Sequence, residues 1–435
     1  MLLKLFLLFC LSWSAWAQTD LLVGLGSTDA TPEVGTPLGG YGGSGRRLKY
    51  FLDWGNRYPL ATYLRPSTGV LDPIRAKSMV VQNHQRKLLF VSLDVVGITI
   101  DVYKTLKQRL KHLNFDEMIL TATHTHSGPG ALTRSFLWQV MAMDKFEREI
   151  YDAFIDSIVR SVELAHQAMV PATLHQTSFM VPEIHRNRRD RPGHMDSQAQ
   201  VLLAKNAEGE IIGGMVNFAI HGCALGESNL LFSADVAGGI ERHMEKLIAG
   251  NQKLWPTILF VNGAEGDVSN SIGGRDGIEV TGDIFAQKAR PALALLKKVE
   301  PVMTYSRIDT KLDRARINLK KCGAGKKEIK IPVSAKMLPR VAGLWQIKLG
   351  DILMMTFPGE ATTDIGFSAK ALARQYQENN PWIFGLANGH MGYFVTPEEY
   401  AEGGYETCVA FHGPQAGNMI LEAHKELLRN KQELK

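Results

Sequence analysis

The stretch KLLFVSLDVVGITIDVYKTLKQRLKHLNFDEMILTATHTHSGPG, residues 87–130, contains a complete strand–helix–strand pattern. Residues 87–95 form an apolar run typical of a buried strand, and residues 101–113 have the amphipathic spacing of a helix. Residues 117–126 predict a second strand. This alternation favours an α/β fold built on a mixed central sheet.

The same alternation continues along most of the chain. Further strands are predicted at residues 211–221, 257–263 and 351–357. Amphipathic spacing predicts helices at residues 145–169, 234–249, 281–299, 361–377 and 414–429. We therefore expect an α/β fold, with a mixed central sheet flanked by helices and an active site at the carboxyl ends of the strands.

Composition argues against several classes of protein. The chain has 435 residues, of which 45% are hydrophobic and 21% are charged, as expected for a globular protein with an ample core. The formal net charge of +5 is small and the basic residues are scattered, so we expect no nucleic-acid partner. Beyond the N-terminus there is no tract of about 18 apolar residues, so we expect no transmembrane segment in the mature chain.

The N-terminus resembles a secretory signal peptide. In MLLKLFLLFCLSWSAWAQTD, residues 1–20, one lysine precedes an apolar run and the small-x-small sequence at residues 15–17. We predict that residues 1–17 are a signal peptide and that the protein is secreted or periplasmic. Cys10 lacks the small residues expected before a lipid-modified cysteine, so a lipoprotein is the less favoured alternative.

Three cysteines remain after the signal peptide, namely Cys223, Cys322 and Cys408. They can form at most one disulfide and leave at least one thiol free, and spacing alone does not say whether any pair is joined. Cys322 lies in a basic stretch, residues 311–340. We favour a solvated hairpin there, with its turn at residues 323–325, over a membrane-surface role.

Two histidines, His124 and His126, follow the apolar residues 118–120 and precede a Ser-Gly-Pro-Gly turn. If the strand continues to His126, the two side chains lie on one face, because residues i and i+2 of a strand do so. Two adjacent imidazoles can bind one transition metal, and zinc is the usual partner of nitrogen ligands. The alternative is a structural pair without a metal, since short motifs are often fortuitous.

Other predicted strands also end in polar residues next to glycine. His221 precedes a glycine, Glu360 follows Phe-Pro-Gly, and Ser269 lies in VNGAEGDVSNS, residues 261–271. Each has a simpler explanation as a solvated histidine, a helix-start carboxylate or a capping serine, and the tyrosines of the Gly-rich loop at residues 388–406 could simply be packed. Because sites in α/β proteins form at the carboxyl ends of strands, we expect these residues to converge on one pocket.

Seven short motifs occur in chain order: GLGSTDATP (24–32), GGYG (39–42), TATHTHSGPG (121–130), NFAIHG (217–222), GDVS (266–269), FPGEATT (357–363) and GYFVTPEEYAEGGYE (392–406). Together they resemble the neutral/alkaline ceramidase family, zinc amidases that hydrolyse the N-acyl bond of ceramide. The His-Thr-His-Ser-Gly-Pro-Gly string is specific, and the conserved order argues against coincidence. The resemblance implies a single catalytic domain over residues 18–435, in a short member without the C-terminal immunoglobulin-like domain of full-length ceramidases.

The resemblance also implies a zinc site. The implied zinc ligands are His124, His126, His221, Glu360 and Tyr393. Ser269 would lie beside the attacking water, and Tyr405 would contact the substrate carbonyl. Arg188 would donate to the oxyanion, although Arg186 or Arg189 could take its place. We favour His126 as the proton donor to the leaving amine, with a water relay through Ser269 as the alternative.

Several positions depart from the pattern of the family. Residues 187–190 are Asn-Arg-Arg-Asp where the family commonly has Asn-Arg-Ser-Pro. Gly-Asp-Val-Ser is followed by Asn-Ser where Pro-Asn is usual, and residues 222–225 are Gly-Cys-Ala-Leu where Thr-Ser-Met is typical. None of these departures changes an implied metal ligand. The departures therefore bear on the identity of the substrate and not on the metal chemistry.

We therefore expect a secreted zinc-dependent amidase that hydrolyses ceramide to a sphingoid base and a fatty acid by attack of zinc-activated water. The alternative is a zinc amidase or deacylase for an N-acyl amino acid, an N-acyl sugar or a non-sphingoid lipid. An aliphatic pocket would favour ceramide, presented from a membrane or micelle, and an Asp/Arg-lined pocket would favour the alternative. A phosphatase or sulfatase is less favoured because Asp235 and Asp267 are too few for a site with several metals. A non-catalytic lipid binder would have no need of five ligands.

Overall fold

The computed structural model describes residues 21–43, 45–48, 58–250, 252–323 and 328–433. In chain order its strands are β1 Leu22–Asp29, β2 Gly69–Val70, β3 Arg75–Gln82, β4 Lys87–Leu93, β5 Glu117–Ala122, β6 Val170–Met180, β7 His185–Asn187, β8 Gln198–Asn206, β9 Ile211–Phe218, β10 Leu231–Phe232, β11 Thr257–Asn262, β12 Val268–Asn270, β13 Lys297–Val299, β14 Met303–Lys311, β15 Arg316–Asn318, β16 Lys330–Pro332, β17 Val341–Leu349, β18 Ile352–Thr356, β19 Glu360–Ala361, β20 Asn380–Phe384 and β21 Tyr393–Phe394. The helices are α1 Ile100–Arg109, α2 Phe136–Trp138, α3 Arg148–Gln167, α4 Asp235–Ala249, α5 Gly274–Leu293, α6 Thr363–Gln375, α7 Pro397–Glu402, α8 Tyr405–Val409 and α9 Ala416–Glu433.

A nine-stranded mixed sheet forms the centre of the molecule. Its strand order is β11-β9-β8-β6-β1-β3-β4-β5, and β13 pairs with β6 beside this path. The pairs β4–β5 and β9–β11 are parallel, whereas the other pairs are antiparallel. The α/β fold with a mixed central sheet is therefore confirmed.

A second sheet of four strands has the order β14-β17-β18-β20. It includes β18, which matches the strand predicted at residues 351–357. The sequence did not indicate a second sheet, because apolar periodicity identifies a buried strand without identifying its partner. The strand β18 pairs with β17 antiparallel and with β20 parallel.

Buried side-chain amides join the two sheets at their carboxyl ends. Asn217 on β9 donates to the carbonyl of Ile383 at 2.8 Å. Asn388, just after β20, accepts from the Leu120 amide at 2.8 Å and donates to the Met118 carbonyl at 3.0 Å. The ends of β5, β9, β18 and β20 therefore meet, and this is where the polar motifs of the sequence lie.

The long helix α3 covers one face of the central sheet. Its buried residues recur at helical spacing, including Ile150, Phe154, Ile158 and Val162, and this apolar stripe packs on β1 and β3. The helix predicted at residues 281–299 instead spans Gly274–Leu293, and the remainder forms β13. Among the described residues, none of the helices combines the length and the apolar character that a bilayer crossing requires.

A disulfide joins Cys322 to Cys408, while Cys223 is a free thiol. This agrees with the prediction of at most one bridge and one free cysteine. The strands β15 and β16 pair antiparallel, as the predicted hairpin requires, although most of its turn lies outside the described residues. Lys321 in this hairpin is not simply solvated, since its ammonium donates to the carbonyl of Tyr400 at 2.6 Å. The predicted signal peptide also lies outside the described residues.

Candidate active site and metal centre

His124 and His126 lie together, but strand alternation does not cause it. The strand β5 ends at Ala122, and His124 has a φ of +65°, so the chain has already turned. The predicted strand over residues 117–126 was therefore too long. The His126 amide donates to the carbonyl of Gly222 at 2.8 Å, which fixes this loop against the next one. The two Nε2 atoms of the histidine pair are 3.3 Å apart.

The other three predicted ligands reach the same point from separate elements. His221 follows β9, and its ring centroid is 4.4 Å from that of His124. Glu360 and Tyr393 are register partners in the short parallel ladder between β19 and β21. The Tyr393 hydroxyl is 3.4 Å from Nε2 of His221. The structure thus brings all five residues into one cluster.

Glu360 lies at the centre of this cluster. Its Oε2 atom is 3.2 Å from Nε2 of His124 and 3.3 Å from Nε2 of His221. Both rings and the carboxylate are buried. Burying such a charge is costly unless it is paired or binds a metal, so the arrangement needs a positive partner.

The histidine tautomers fit a metal at this point. Nδ1 of His124 donates to the carbonyl of Val96 at 2.5 Å, and Nδ1 of His221 donates to the carbonyl of Glu265 at 2.9 Å. A ring that donates through Nδ1 presents an Nε2 lone pair, so both lone pairs face the carboxylate. Lone pairs and a carboxylate oxygen that converge in this way match the donor set of a divalent transition metal.

The electrostatics of the cluster agree with this assignment. Burial and the charge of Arg188 lower the pKa of His221 to about 4. Burial, with the neighbouring imidazoles, holds the pKa of His126 well below its usual value. Near neutral pH His126 and His221 are therefore uncharged, so each has a ring lone pair for a metal.

Arg188 is the arginine that faces the cluster. Its Nη1 is 3.2 Å from Nε2 of His221, and its Nη2 donates to the hydroxyl of Tyr393 at 2.9 Å. Its Nε donates to Glu406 at 2.8 Å, which orients the guanidinium. The guanidinium carbon also lies 5.5 Å from the ring centroid of Tyr405.

The other two arginines considered from the sequence occupy different positions. Arg186 is exposed on β7. Arg189 forms ion pairs with Glu406 at 2.8 Å and Glu402 at 3.1 Å near the mouth of the site. Arg188 is therefore the member of this group that contacts the predicted metal ligands.

Tyr405 and Ser269 differ in their relation to the site. Tyr405 begins α8, and 62% of it is exposed, because its ring lies at the cavity mouth, 5.8 Å from the ring of Tyr393. Ser269 lies on β12 opposite Arg186, and it is not among the described residues that line the cavity. Its neighbour Val268 accepts from the amide of His221 at 3.1 Å. A chemical role for Ser269 stays a prediction.

A cavity of about 940 Å³ opens above the cluster. Its apolar lining residues include Val96, Trp138, Val140, Met141 and Val409. The rim is charged and includes Arg47, Arg189, Asp190 and Glu402. The size is that of a typical small-molecule site. The lining contains both the apolar residues expected for ceramide and the Asp and Arg residues expected for another N-acyl substrate.

Comparisons with known proteins agree with this geometry. A family model described as neutral/alkaline non-lysosomal ceramidase, N-terminal, matches residues 60–284, which is just over half of the chain. The chain belongs to the neutral/alkaline non-lysosomal ceramidase family. The resemblance found in the sequence is therefore confirmed.

Relatives of this ceramidase family align over part of the chain. Neutral ceramidase of Pseudomonas aeruginosa is 31% identical over 176 residues, covering 37% of this chain and 26% of the relative. Neutral ceramidase 1 of Arabidopsis thaliana is 25% identical over 250 residues, covering 53% and 30%. The chain thus spans about a third or less of the length of these relatives in the alignments.

Solved structures of the family share the fold. The crystal structure of neutral ceramidase from Pseudomonas aeruginosa superposes with a TM-score of 0.81 at 20% identity, covering 95% of this chain and 75% of the other. A structure described as ceramidase complexed with C2 gives a TM-score of 0.79 at 20% identity, covering 95% and 76%. The similarity extends over both sheets.

The ceramidase-type motif Gly-Gly-Tyr-Gly, residues 39–42, has a local structural explanation. Gly40 has a φ of +86°, and a Cβ atom there would lie 2.7 Å from Nδ1 of His126. The ring of Tyr41 meets the ring of His126 edge-on at 4.8 Å. The motif therefore supports one wall of the histidine cluster.

The sequence did not predict two buried side chains, His390 and Glu265, that lie next to the predicted metal ligands. His390 hydrogen-bonds Glu360 at 3.0 Å, and Glu265 lies beside Glu360 and His124. Within the described chain neither carboxyl oxygen of the Glu265 side chain has a hydrogen-bond partner, and burial together with Glu360 raises the pKa of this carboxyl group well above its usual value. A single histidine or glutamate in a loop belongs to no motif with a recognisable spacing, so its position near the site could not be predicted. Both lie within stretches already singled out, residues 388–406 and 261–271.

Asp235 and Asp267, the carboxylates weighed for a site with several metals, stabilise loops instead. Asp235 accepts from the amides of Ala224 and Leu225, just after His221. Asp267 accepts from the amide of Thr363 at 2.8 Å and from the side chain of Asn187 at 2.7 Å. Since backbone and side-chain donors occupy both carboxylates, neither favours a phosphatase-type centre.

Proposed function

We propose that this protein is a secreted zinc-dependent amidase that hydrolyses the N-acyl amide bond of ceramide to a sphingoid base and a fatty acid. The observation that carries the proposal is the convergence of three imidazoles and the buried Glu360 in a cavity that is also lined by apolar side chains. Family membership agrees with an amide-hydrolysing enzyme. His124, His126, His221, Glu360 and Tyr393 would hold the ion.

The cavity lining favours a substrate with an apolar chain. The cations at the rim are already matched within the protein: Arg189 pairs with Glu402 and Glu406, and Arg47 donates to the carbonyls of Gly42 and Val140. The apolar lining residues need no such partner, and covering them with a hydrocarbon chain would gain about 25 cal/mol per Å² of apolar surface removed from water. A membrane or micelle would present such a substrate.

Zinc at this site would lower the pKa of a coordinated water to about 7 and polarise the substrate carbonyl. The residues around it then have separate tasks. Arg188 lies between Glu406 and Tyr393, so its position is fixed before the substrate binds. Its guanidinium and the hydroxyl of Tyr405 both line the cavity beside the ligand cluster, and we assign them to the oxyanion that develops as water adds to the carbonyl.

The leaving amine must gain a proton as the C–N bond breaks, and the acyl group departs as a carboxylic acid. We assign this proton transfer to His126. Its Nδ1 has no hydrogen-bond partner among the described residues, unlike Nδ1 of His124 and of His221. With Nε2 of His126 directed at Nε2 of His124 and reserved for the ion, Nδ1 is the nitrogen through which this proton would pass. A water relay through Ser269 remains the alternative route.

A second candidate is hydrolysis of an N-acyl amino acid. The observation that favours it is the charged rim, where Arg189 and Asp190 line the cavity beside Tyr405. A carboxylate on the amine side of such a substrate would meet the guanidinium of Arg189. This candidate uses the same metal ligands and differs only in what the rim recognises.

The first test measures turnover of a fluorogenic N-acyl sphingosine in mixed micelles, beside an N-acyl amino acid of equal acyl length. Controls are chelator-treated protein, the same protein reloaded with zinc, and His124→Ala. Turnover of the sphingosine amide that is lost on chelation, restored by zinc and absent in the variant is the expected result. Preferential turnover of the amino-acid amide would replace ceramide with the second candidate. Zinc-independent turnover would refute the mechanism.

We also propose that the protein is exported. The N-terminal pattern at residues 1–17 supports export, and the disulfide between Cys322 and Cys408 suits an oxidising compartment. The expected result is that protein recovered outside the cytoplasm begins near Gln18 on N-terminal sequencing. Recovery of full-length, reduced protein from the cytoplasm alone would contradict it.

A further inference from the structure

His390 contacts the oxygen of Glu360 that faces away from the other histidines. Its Nε2 is 3.0 Å from Oε1 of Glu360, whereas Oε2 faces His124 and His221. An ionised carboxylate only accepts hydrogen bonds, so His390 donates through Nε2–H. The two oxygens of Glu360 thus have distinct partners, one in the cluster and one behind it.

The ring of His390 is itself held on several sides. It stacks on the indole of Trp138, with centroids 4.2 Å apart and planes 10° apart. The indole Nε1–H donates to the backbone carbonyl of the same His390 at 3.0 Å. Beneath the ring lies Gly97, where a Cβ atom would be 2.5 Å from Nδ1 of His390. The imidazole therefore has little freedom to rotate away from Glu360.

We propose that His390 is a positioning residue of the metal centre, whose Nε2–H holds the Glu360 carboxylate in the rotamer that directs Oε2 at the ligand nitrogens. Trp138 and Gly97 fix the imidazole for this task. The inference rests on the proposed metal binding and adds to it a residue outside the predicted ligand set. Partners of this kind orient a ligating carboxylate, and their loss typically costs about 10- to 100-fold in metal affinity.

His390 lies too far out to be a ligand of the same ion. Its ring centroid is 6.4 Å from that of His124, compared with 4.4 Å between His124 and His221. Its Nε2 is already occupied by the carboxylate oxygen. The ring also contacts Trp138 and Gly97, and neither of these can bind a metal through its side chain.

Two substitutions separate the hydrogen bond from the packing. His390→Phe keeps an aromatic face for Trp138 but has no N–H, whereas His390→Gln places an amide N–H near the position of Nε2 and loses the stack. We expect His390→Phe to weaken zinc binding to the apoprotein by about 10- to 100-fold at an unchanged stoichiometry. His390→Gln is expected to bind within a few-fold of the wild type. Zinc affinity is measured by competition with a chromophoric chelator, and thermal melts of each apoprotein report folding.

A third variant perturbs the ring without touching Glu360. Gly97→Ala would push the imidazole away from its position, so it is expected to weaken zinc binding in the same direction as His390→Phe. In a Glu360→Gln background His390→Phe should have little further effect on zinc affinity, because the hydrogen bond then has no carboxylate to orient. If His390→Phe fails to fold, His390→Gln and Gly97→Ala decide the question.

The outcomes distinguish this inference from the function on which it rests. If the wild type binds zinc and His390→Phe binds it equally tightly, Glu360 is oriented without His390 and only the inference falls. If His390→Gln loses as much affinity as His390→Phe, packing and not the hydrogen bond is responsible, and the inference also falls. If the wild type binds no divalent metal, the proposed function falls as well.

Discussion

Arg188 connects the predicted metal ligands to the cavity mouth. It contacts His221, Tyr393 and Glu406 at once, and it lies 5.5 Å from the ring centroid of Tyr405. A guanidinium has five N–H donors in a rigid plane, so one side chain can orient several groups. This single residue therefore couples the position of the predicted ligands to that of Tyr405, the other proposed oxyanion donor.

Replacing Arg188 should reduce catalysis more than metal binding. We expect Arg188→Gln to lower kcat/KM by about 100-fold, since losing one oxyanion donor typically costs about 3 kcal/mol, while zinc stoichiometry is unchanged. Arg186→Gln is the matched control, because the Arg186 side chain is exposed on the neighbouring strand and should leave kcat/KM unaltered. Equal losses in both variants, or loss of zinc from Arg188→Gln, would contradict the assigned role.

Individual candidate residues were easier to find in the sequence than their surroundings. His124, His126, His221 and Glu360 could be singled out because each follows an apolar run that ends near a glycine, which indicates the carboxyl end of a strand. His390 could not be singled out, because its proposed role depends on contacts with Glu360, 30 residues away, and with Trp138, 252 residues away. Contacts of this kind depend on the meeting of two sheets, which periodicity does not encode.

Among the elements, the short helix α8 carries the outer part of the site. It begins at Tyr405, includes Glu406, and is tied through Cys408 to the β15–β16 hairpin by the disulfide with Cys322. Lys321 adds a second attachment, because its ammonium donates to the carbonyl of Tyr400 on α7. A five-residue helix is too short to be stable alone, so these links keep α8 in place.

The disulfide should stabilise both the fold and this element. It closes a loop with a sequence separation of 86, and a disulfide typically contributes about 2–4 kcal/mol to stability. We expect the free energy of unfolding of the Cys322→Ser/Cys408→Ser double variant to be lower by roughly that amount, so that it unfolds at a lower denaturant concentration. Its turnover should also be reduced. Chemical denaturation with and without reductant measures the effect.

The free cysteine provides the control for that experiment. The unfolding midpoint of Cys223→Ser should still fall on addition of reductant, because this variant keeps the Cys322–Cys408 disulfide. The midpoint of the double variant should not respond to reductant. A wild-type protein whose unfolding midpoint does not change on reduction would show that the link contributes nothing measurable to stability.

The boundaries of the elements show where local pattern is overridden. The long helix α3 was predicted within three residues at each end, because its apolar stripe recurs over 20 residues. The strand β5 was overextended by four residues, because Thr-His-Thr-His continues the alternation although the chain turns at His124. Tertiary contacts to Val95 and Gly222 fix that turn, and they are invisible to a local pattern.

At the scale of the whole molecule, a buried charge network links the central sheet to α4. Lys77 on β3 pairs with Glu241 at 3.0 Å and Glu245 at 2.9 Å, and it also donates to the carbonyl of Ile258 on β11. Asp94 lies just after β4, where it accepts from the Arg75 amide at 2.8 Å. One ammonium thus faces three carboxylates, which leaves the interior short of positive charge. Composition and net charge gave no sign of this imbalance.

This imbalance predicts that the protein loses stability as the pH rises. Burial, reinforced by Glu241, raises the pKa of Asp94 from 3.8 to about 8. Between these values the folded state holds a proton that the unfolded chain has released, so the free energy of unfolding falls with pH by up to about 1.4 kcal/mol per unit. In metal-free protein, the free energy of unfolding of Asp94→Asn should fall less between pH 5 and pH 8 than that of the wild type. The control is Asp152→Asn, at an exposed position on α3, whose free energy of unfolding should change with pH as the wild type's does. Urea unfolding across this range is the measurement, and parallel curves for the wild type and Asp94→Asn would show that Asp94 is already ionised in the folded protein.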